Sequence, residues 1–438
     1  MSVVKNMSCV LCGALLLLGA AGESIARQNP QEKRKLRDND RAVVESMLHD
    51  MREAIQKYYY DPTFRGVDLD ARYKSYQDRV KSAETLSEAT RAVAAYMAIL
   101  DDSHTIFLPS PYNFRFDYDY RLQLYGDQCF LTDVRPGSDA AQKLHAGDQV
   151  LKLDGYSVNR KDLEQLEYYL RLLAPHRDVD FQLRDTAGSQ RHEVVTTKIR
   201  NWPPVYPRSF GEFQDEMDKL RHAERSRHAE VGDTLVWKLP TFTAGEENAA
   251  PEVTLARKHR ALILDLRGNS GGAVSDLRFI LGSLFDHDVE VARRISRKEE
   301  KPMVAKSRGS SAFGGKLIVL VDSRSASAAE LLARVVQLEH RGTVIGDVTP
   351  GSVMEASLYP YAYNGVRYAA EITTSDLVMS DGKSLEKVGV VPDILVLPTA
   401  EDLAQRRDPV LARALELAGQ SVSTADAGKL LPYEWQVE

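Results

Sequence analysis

The chain has 438 residues, enough for two or three domains with cores of their own. It is 43% apolar, 27% charged and 8% aromatic, which reads as an ordinary globular protein. A formal net charge of −6 gives no basic footprint, so nucleic acid is excluded as a partner, and the short Arg406-Arg407 pair does not change that.

At the start, Lys5 precedes an apolar run from Cys9 to Ala21 that contains Leu15-Leu16-Leu17-Leu18, and small residues follow. This charged, apolar, small-residue order predicts a secretory signal over residues 1–26, cut after Gly22 or after Ala26. The run of about 13 apolar residues falls short of the ~20 that span a bilayer. Cys9 and Cys12 lie before or inside the run, where a lipidation site would follow it. Cleavage leaves Cys129 as the only cysteine, so the mature monomer has no internal disulfide. The ten histidines show neither HExxH nor ligand spacing, and no metal or cofactor is indicated.

From about residue 38, Val43, Val44, Met47, Met51, Ile55 and Tyr58 recur at helical spacing, and Pro62 ends the segment. A second helix is predicted over Leu86–Leu100, with Thr85 and Glu88 spaced as a capping box. It runs out into Asp101-Asp102-Ser103-His104-Thr105, and this helical domain (27–112) therefore delivers one serine and one histidine at a helix-to-loop junction. Asp101 and Asp102 read as solvated or capping groups.

Over 113–200 the texture changes to short strands. Phe130–Val134 alternates, Pro136-Gly137-Ser138 turns into a short helix over Asp139–Leu144, and Val150–Leu153 leads to the turn Asp154-Gly155. A helix over Leu163–Leu173 and strands at Val179–Leu183 and His192–Thr197 close the unit. This order, with the run PGSDAAQKLHAGDQVLKLDG, resembles a PDZ domain. That resemblance implies peptide capture at a sheet edge, although Tyr125-Gly126-Asp127-Gln128 matches the usual glycine-rich loop poorly.

After Trp202-Pro203-Pro204 the pattern becomes α/β (201–400). Strands are predicted at Thr234–Leu239, Ala261–Leu266, Lys316–Val321 and Thr343–Gly346, the middle two continuously apolar as in strands buried on both faces. A helix is predicted over Ala249–Lys258, with Pro251 in its first turn. Arg267–Gly272 follows the second strand and leads to a helix ending near Leu284. Ser325-Ala326-Ser327-Ala328-Ala329-Glu330 follows the third and leads to a helix ending near Glu339. Asn364-Gly365 predicts a hairpin, and Asp408-Pro409 caps a helix over Val410–Leu417 within the C-terminal segment 401–438.

A serine among small residues at a strand-to-helix turn can stand clear of its neighbours, with helix N–H groups ready to face an oxyanion. The same residues also make an ordinary helix cap. The runs LILDLRGNSGG, VLVDSRSASAAELLARVVQ, RGTVIGDVTPGS and LEKVGVVPDI together resemble the C-terminal-processing, or tail-specific, serine peptidases of family S41 and their tricorn-core branch. The resemblance implies a ClpP/crotonase-like α/β peptidase core behind a helical N-terminal domain and an inserted PDZ-like β-rich domain. It also implies Ser327 as nucleophile, with Ser325 the candidate most easily confused with it. The oxyanion donors it implies are Ala328 and either Gly271 or Gly272. The lysine base of the processing peptidases is replaced by Ser352 in Thr349-Pro350-Gly351-Ser352. The tricorn-like set is matched instead: His104 as base, Ser103 before it as bridge, and Glu386 as orienter. The expected substrate is a polypeptide, met outside the cytoplasm in a periplasmic or extracellular space. An esterase using the same serine, or a catalytically lapsed peptide-binding scaffold, are the other readings.

Overall fold

The computed structural model describes residues 35–110, 112, 114–201, 226–242 and 245–435. The predicted signal segment and Trp202–Pro204 lie outside the described residues. Among those described, no helix is long and apolar enough to cross a membrane.

The N-terminal region is three helices, α1 (Asp38–Tyr58), α2 (Leu69–Ser82) and α3 (Leu86–Met97). The apolar stripe of α1 is buried, with Val44, Leu48, Met51 and Ile55 fully enclosed. The capping box of α3 forms as its sequence predicts: Glu88 N–H donates to Thr85 Oγ1 at 3.2 Å, and Thr85 N–H to Glu88 Oε2 at 3.3 Å. After a single 3-10 turn the chain passes Ser103-His104 into β1 (Ile106–Leu108).

The β-rich unit follows. Its strands are β2 (Phe114–Asp117), β3 (Tyr120–Tyr125) and β4 (Gln128–Val134), then, after the one-turn helix α4 (Ala140–Lys143), β5 (Gln149–Leu153) and β6 (Tyr156–Ser157). Helix α5 (Leu163–Tyr168) precedes β7 (Asp178–Arg184), β8 (Gln190–Thr196) and β9 (Lys198–Asn201). The sheet order is β3-β4-β5-β7-β8 with β6 on β5, while β2 and β9 pair separately. The helix expected over Leu163–Leu173 is α-helical only to Tyr168; Tyr169–Leu173 continue as a π-turn. That wider turn still buries Tyr169, Leu170 and Leu173. Cys129 is a buried free thiol, which burial pushes up to about 12.

The α/β core comprises β10 (Arg227–Val231), β11 (Thr234–Lys238), α6 (Glu246–Ala256), β12 (Ala261–Asp265), α7 (Val274–Leu284), β13 (Val289–Ser296), β14 (Glu300–Ala305), β15 (Lys316–Val321), α8 (Ala328–Leu338) and β16 (Gly342–Gly346). It ends with β17 (Met354–Tyr363), β18 (Val366–Val378), β19 (Ile394–Leu395) and the helices α9 (Ala400–Ala404), α10 (Pro409–Leu417) and α11 (Thr424–Leu430). One sheet runs β10-β11-β12-β15-β16-β19, parallel from β11 onward. Strands β12 and β15 are buried on both faces: Leu262, Leu264, Leu317 and Val319 join the cluster under α6, α7 and α8, while Ile263, Ile318 and Leu320 join that under α10 and α11. Helix α6 begins at Glu246, three residues before its predicted start, so Pro251 lies inside it and not in the first turn.

The second sheet of the core orders β1-β18-β13-β14, with β17 also on β18. Asn364-Gly365 closes β17 onto β18 with Tyr363 opposite Val366, and both turn residues take positive φ, 48° and 78°, as a two-residue hairpin requires. Strand β1 pairs antiparallel with the middle of β18, Phe107 opposite Ala370. This pairing carries the Ser103-His104 loop from the N-terminal region onto the core.

Candidate active site

Ser327 is the residue between β15 and α8. Its φ of 54° and ψ of −115° are outside the regions open to L-residues at low cost, a strain of about 1–3 kcal/mol. Two glycines make this shape possible. A Cβ on Gly271 would meet the Ser327 Cβ at 2.7 Å, and one on Gly272 would meet the Phe242 carbonyl oxygen at 2.6 Å. Both have positive φ, 97° and 139°. Ala328 is the first residue of α8, where a backbone N–H has no intrahelical acceptor. The Gly271 N–H donates to Asn269 Oδ1 at 2.8 Å, and the Gly271 carbonyl accepts from Phe242 N–H at 2.8 Å. In a trans peptide the N–H of Gly272 therefore points away from Phe242.

Ser325 is fully buried; its hydroxyl donates to the Leu266 carbonyl at 2.8 Å and accepts from Asp322 N–H at 2.9 Å. It braces the β15 turn against the end of β12 and presents no free hydroxyl, which separates it from Ser327.

Ser103, His104 and Glu386 form one hydrogen-bonded run. Ser103 Oγ lies 2.6 Å from His104 Nδ1 and 2.8 Å from Glu386 Oε2, and the Ser103 N–H donates to Glu386 Oε1 at 2.7 Å. A hydroxyl has one proton. Given to the carboxylate, it leaves the Ser103 oxygen as acceptor, so Nδ1 of His104 carries the ring proton and Nε2 keeps its lone pair. Burial lowers the His104 pKa from its ordinary 6.5; Asp102 and Glu164 oppose the shift, and Lys387 adds to it. Burial raises Glu386, with Val353 N–H, Ser103 and Lys387 acting against it.

Asp102 is more than a solvated cap. Its Oδ1 accepts from the backbone N–H of His104 at 3.0 Å and of Thr105 at 2.7 Å, and from Thr373 Oγ1 at 2.8 Å; its Oδ2 accepts from Thr105 Oγ1 at 3.0 Å. The carboxylate thus shapes the His104 turn and ties it to β18. Asp101 is exposed and faces Lys387 Nζ at 3.4 Å.

Among the described residues no direct hydrogen bond joins Ser327 to His104. Residues 349–353 connect the two groups instead. The Ser327 N–H donates to the Ser352 carbonyl at 2.9 Å, and the next residue, Val353, donates its N–H to Glu386 Oε2 at 3.0 Å. Ser352, at the position where a lysine base was sought, is buried and held by its backbone. Glu330, in the first turn of α8, accepts from Thr349 Oγ1 at 2.5 Å, Gly351 N–H at 2.8 Å, Ser352 N–H at 2.9 Å and Ser327 N–H at 3.1 Å. Burial pushes its carboxyl up to about 7 against those donors. Sequence reasoning gave Glu330 no role, although it closes the SASAAE run; three of its four partners lie about twenty residues downstream.

The glycine turn is anchored by Arg267, whose guanidinium pairs with Asp265 (2.7 Å) and with Asp408 (2.9 Å), the N-cap of α10. Three residues before Ser327, Arg324 makes a two-pronged pair with Glu167 of α5, both contacts 3.0 Å, and donates to the Leu122 carbonyl of β3. Ser323 Oγ donates to the Leu124 carbonyl at 2.8 Å, and Arg160 reaches Asp347 at 2.5 Å. The β-rich unit is therefore fastened to the loop that carries the strained serine.

Residues 233–396 match the description "Peptidase family S41", and residues 40–90 match "Tricorn protease C1 domain". The chain carries a peptidase family S41 domain over residues 233–396. Its S41 region takes in β11 through β19, hence Ser327, the glycine pair and Glu386, but not Ser103-His104. A carboxy-terminal-processing protease of Bartonella bacilliformis is 25% identical over 57% of this chain and 54% of its own length. A carboxyl-terminal-processing protease of Synechocystis is 27% identical over 97% of this chain and 95% of its own. This chain spans about half or less of the length of the first curated relatives it matches. Mature CPAF, solved in complex with lactacystin, shares the fold with a TM-score of 0.63 at 15% identity, over 84% of this chain and 96% of that one.

Proposed function

We propose that this S41 chain is an exported serine endopeptidase that cleaves polypeptides through a Ser327–His104–Ser103–Glu386 tetrad and an acyl-enzyme. The observation that carries the reading is the Ser103 hydroxyl, held between His104 Nδ1 and Glu386 Oε2 at 2.6 and 2.8 Å although Glu386 lies 283 residues away in sequence. That run leaves His104 Nε2 as a base for the Ser327 proton. Ser327 Oγ attacks the scissile carbonyl, His104 takes its proton and returns it to the leaving amine, and water then frees the acyl group from the serine. The N–H groups of Ala328 and Gly272 stabilise the oxyanion, since Gly271 spends its own on Asn269. The gap between Ser327 and His104 closes when substrate seats, as catalytic hydrogen bonds often do.

In this reading residues 1–26 are a signal, 113–200 a PDZ-like unit that handles substrate, and 201–400 a ClpP/crotonase-like core. The parallel order β11-β12-β15-β16, with glycine turn and nucleophile turn following adjacent strands, supports the last point. The names of the similar curated proteins support proteolysis.

A fluorophosphonate probe and a peptide panel test the reading. Wild type should be labelled and Ser327→Ala should not. His104→Ala should lose about 10²–10⁴-fold in kcat/KM, with Ser103→Ala and Glu386→Gln milder because they orient the base. A folded His104→Ala protein with near-wild-type kcat/KM would sink the tetrad. Labelling with turnover of esters only would replace peptidase by esterase, and no labelling at all would leave a scaffold.

A further inference from the structure

The last described residues, Pro432–Trp435, follow α11 and lie across one end of the β3–β4 pair. Tyr433 stacks on the guanidinium of Arg121, 3.8 Å from ring centre to carbon, and Trp435 on that of Arg135 at 4.9 Å. The two rings meet edge-on, 5.2 Å apart at 85°. Glu434, between them, pairs with Arg227 of β10 at 2.9 Å, and Arg227 also donates to the Pro432 carbonyl at 2.7 Å. The segment thus reads as an extended peptide with alternate side chains turned to opposite sides.

We propose that this end of β3–β4 is a docking face for an aromatic–acidic–aromatic peptide, and that the chain's own C-terminal segment occupies it in cis. The two arginines are built for the task. Arg121 pairs with Asp133, its cross-strand neighbour, at 3.5 Å, and Arg135 with Asp119 at 2.8 Å. These carboxylates lie beside the guanidiniums, and the aromatic rings take their faces. Residues 432–435 belong to no strand, so side chains hold the segment and no backbone ladder does. Such a ligand exchanges with another peptide of the same pattern. The place has a consequence: Arg121 is next to Leu122, whose carbonyl is gripped by Arg324, three residues before Ser327. A competing polypeptide would be captured beside the loop that carries the nucleophile.

This inference goes beyond the peptidase reading and does not depend on it. The test is fluorescence anisotropy of a labelled heptapeptide with the sequence of residues 432–438, titrated with a chain ending at Leu431. Both carry Ser327→Ala in the protein, so that cutting cannot enter the measurement. The shortened chain should bind at sub-millimolar concentration, and the full chain about tenfold more weakly, because its tethered segment competes at an effective millimolar concentration. Arg121→Ala with Arg135→Ala should lower binding by about tenfold or more, as should a peptide with both aromatic residues changed to alanine. Should the shortened chain fail to fold by circular dichroism, full-length Tyr433→Ala/Trp435→Ala takes its place with the same expectations. Equal binding by the full and opened chains, no binding by a folded opened chain, or binding indifferent to the two arginines would each overturn the proposal.

Discussion

Glu330 receives four hydrogen bonds, and all four donors belong to the two segments that meet at Ser327. Thr349 Oγ1 accepts from Val390 N–H at 2.6 Å, so its own proton goes to the carboxylate. With only donors around it, the site suits an anion in geometry while burial favours the neutral acid. Glu330→Gln would turn an NH₂ group on a backbone N–H; it should cost about 1–3 kcal/mol and lower probe labelling of Ser327, measured by thermal melts and labelling rates on the same samples. Its pKa, about 7 when folded against an ordinary 4.5, means that the folded state holds the proton more tightly. The corresponding stability is present below about pH 4.5 and lost as pH rises through about 7. The melting difference between wild type and Glu330→Gln should change across that window and be flat outside it. His104 works in the opposite sense. In the proposed mechanism its neutral form accepts the proton, and burial lowers its pKa, so the rising limb of kcat/KM should lie below the usual imidazole value near 6.5. A limb centred above 7, seen in a pH profile of peptide hydrolysis, would contradict that. The strand-to-helix turns at Ser327 and at the glycine pair were readable from sequence because each sits in one unbroken strand–turn–helix run. Glu330 and Asp102 were not, because their meaning lies in backbone donors and hydroxyls, several of them from distant segments such as Thr349 and Thr373.

At the scale of elements, β18 is the strand on which the site hangs. It pairs with β1, β13 and β17, and its side chains enter two cores: Tyr368, Ala370 and Ile372 pack with the helical region, and Leu377 with the α/β core. Its register is set at Asn364-Gly365, where both residues are exposed and left-handed. Gly365→Ala should therefore cost about 1 kcal/mol by denaturant unfolding while leaving kcat/KM within about twofold, since the turn touches neither Ser327 nor His104. A large loss of activity at unchanged stability would mean that register slips instead. The hairpin was legible from two residues, and the buried strands β12 and β15 from their apolar runs. Strands β13 and β14 were not: Val289–Ser296 carries the adjacent charges Arg293 and Arg294 and a bulge at Glu290–Ala292 that breaks the alternation. Helix α2 went unread for a related reason, burying only Leu69, Tyr76 and Val80 among fourteen residues.

Across the whole molecule, the β-rich unit and the α/β core meet through charge and hydrogen bonds at Arg324–Glu167 and Arg160–Asp347. Both pairs are partly buried and multiply hydrogen-bonded, so they should behave as a latch. A double-mutant cycle of Arg324→Ala and Glu167→Ala should return a coupling of about 0.5–3 kcal/mol, with faster amide exchange along β3 in each single variant. Cleavage of long polypeptides should change more than that of short peptides. Additive effects with unchanged exchange in β3 would show that the unit is held elsewhere. The succession of helical, strand-rich and α/β segments was legible because the hydrophobic periodicity changes along the chain, whereas their seating was not, since it is decided by single pairs more than 150 residues apart. The link between Ser103 and Glu386 stretches this principle furthest. During synthesis the histidine loop leaves the ribosome early, yet β18, which receives β1, and the carboxylate that fixes Ser103 come from the last quarter of the chain. At about 5–20 residues per second, the imidazole spends tens of seconds without the partners that set its tautomer. The serine, too, waits on residues 349–352 for the contacts that hold its strained turn. A growing chain thus holds Ser327 and His104 before the contacts that order them, and on the tetrad reading the centre assembles only after Glu386 has emerged.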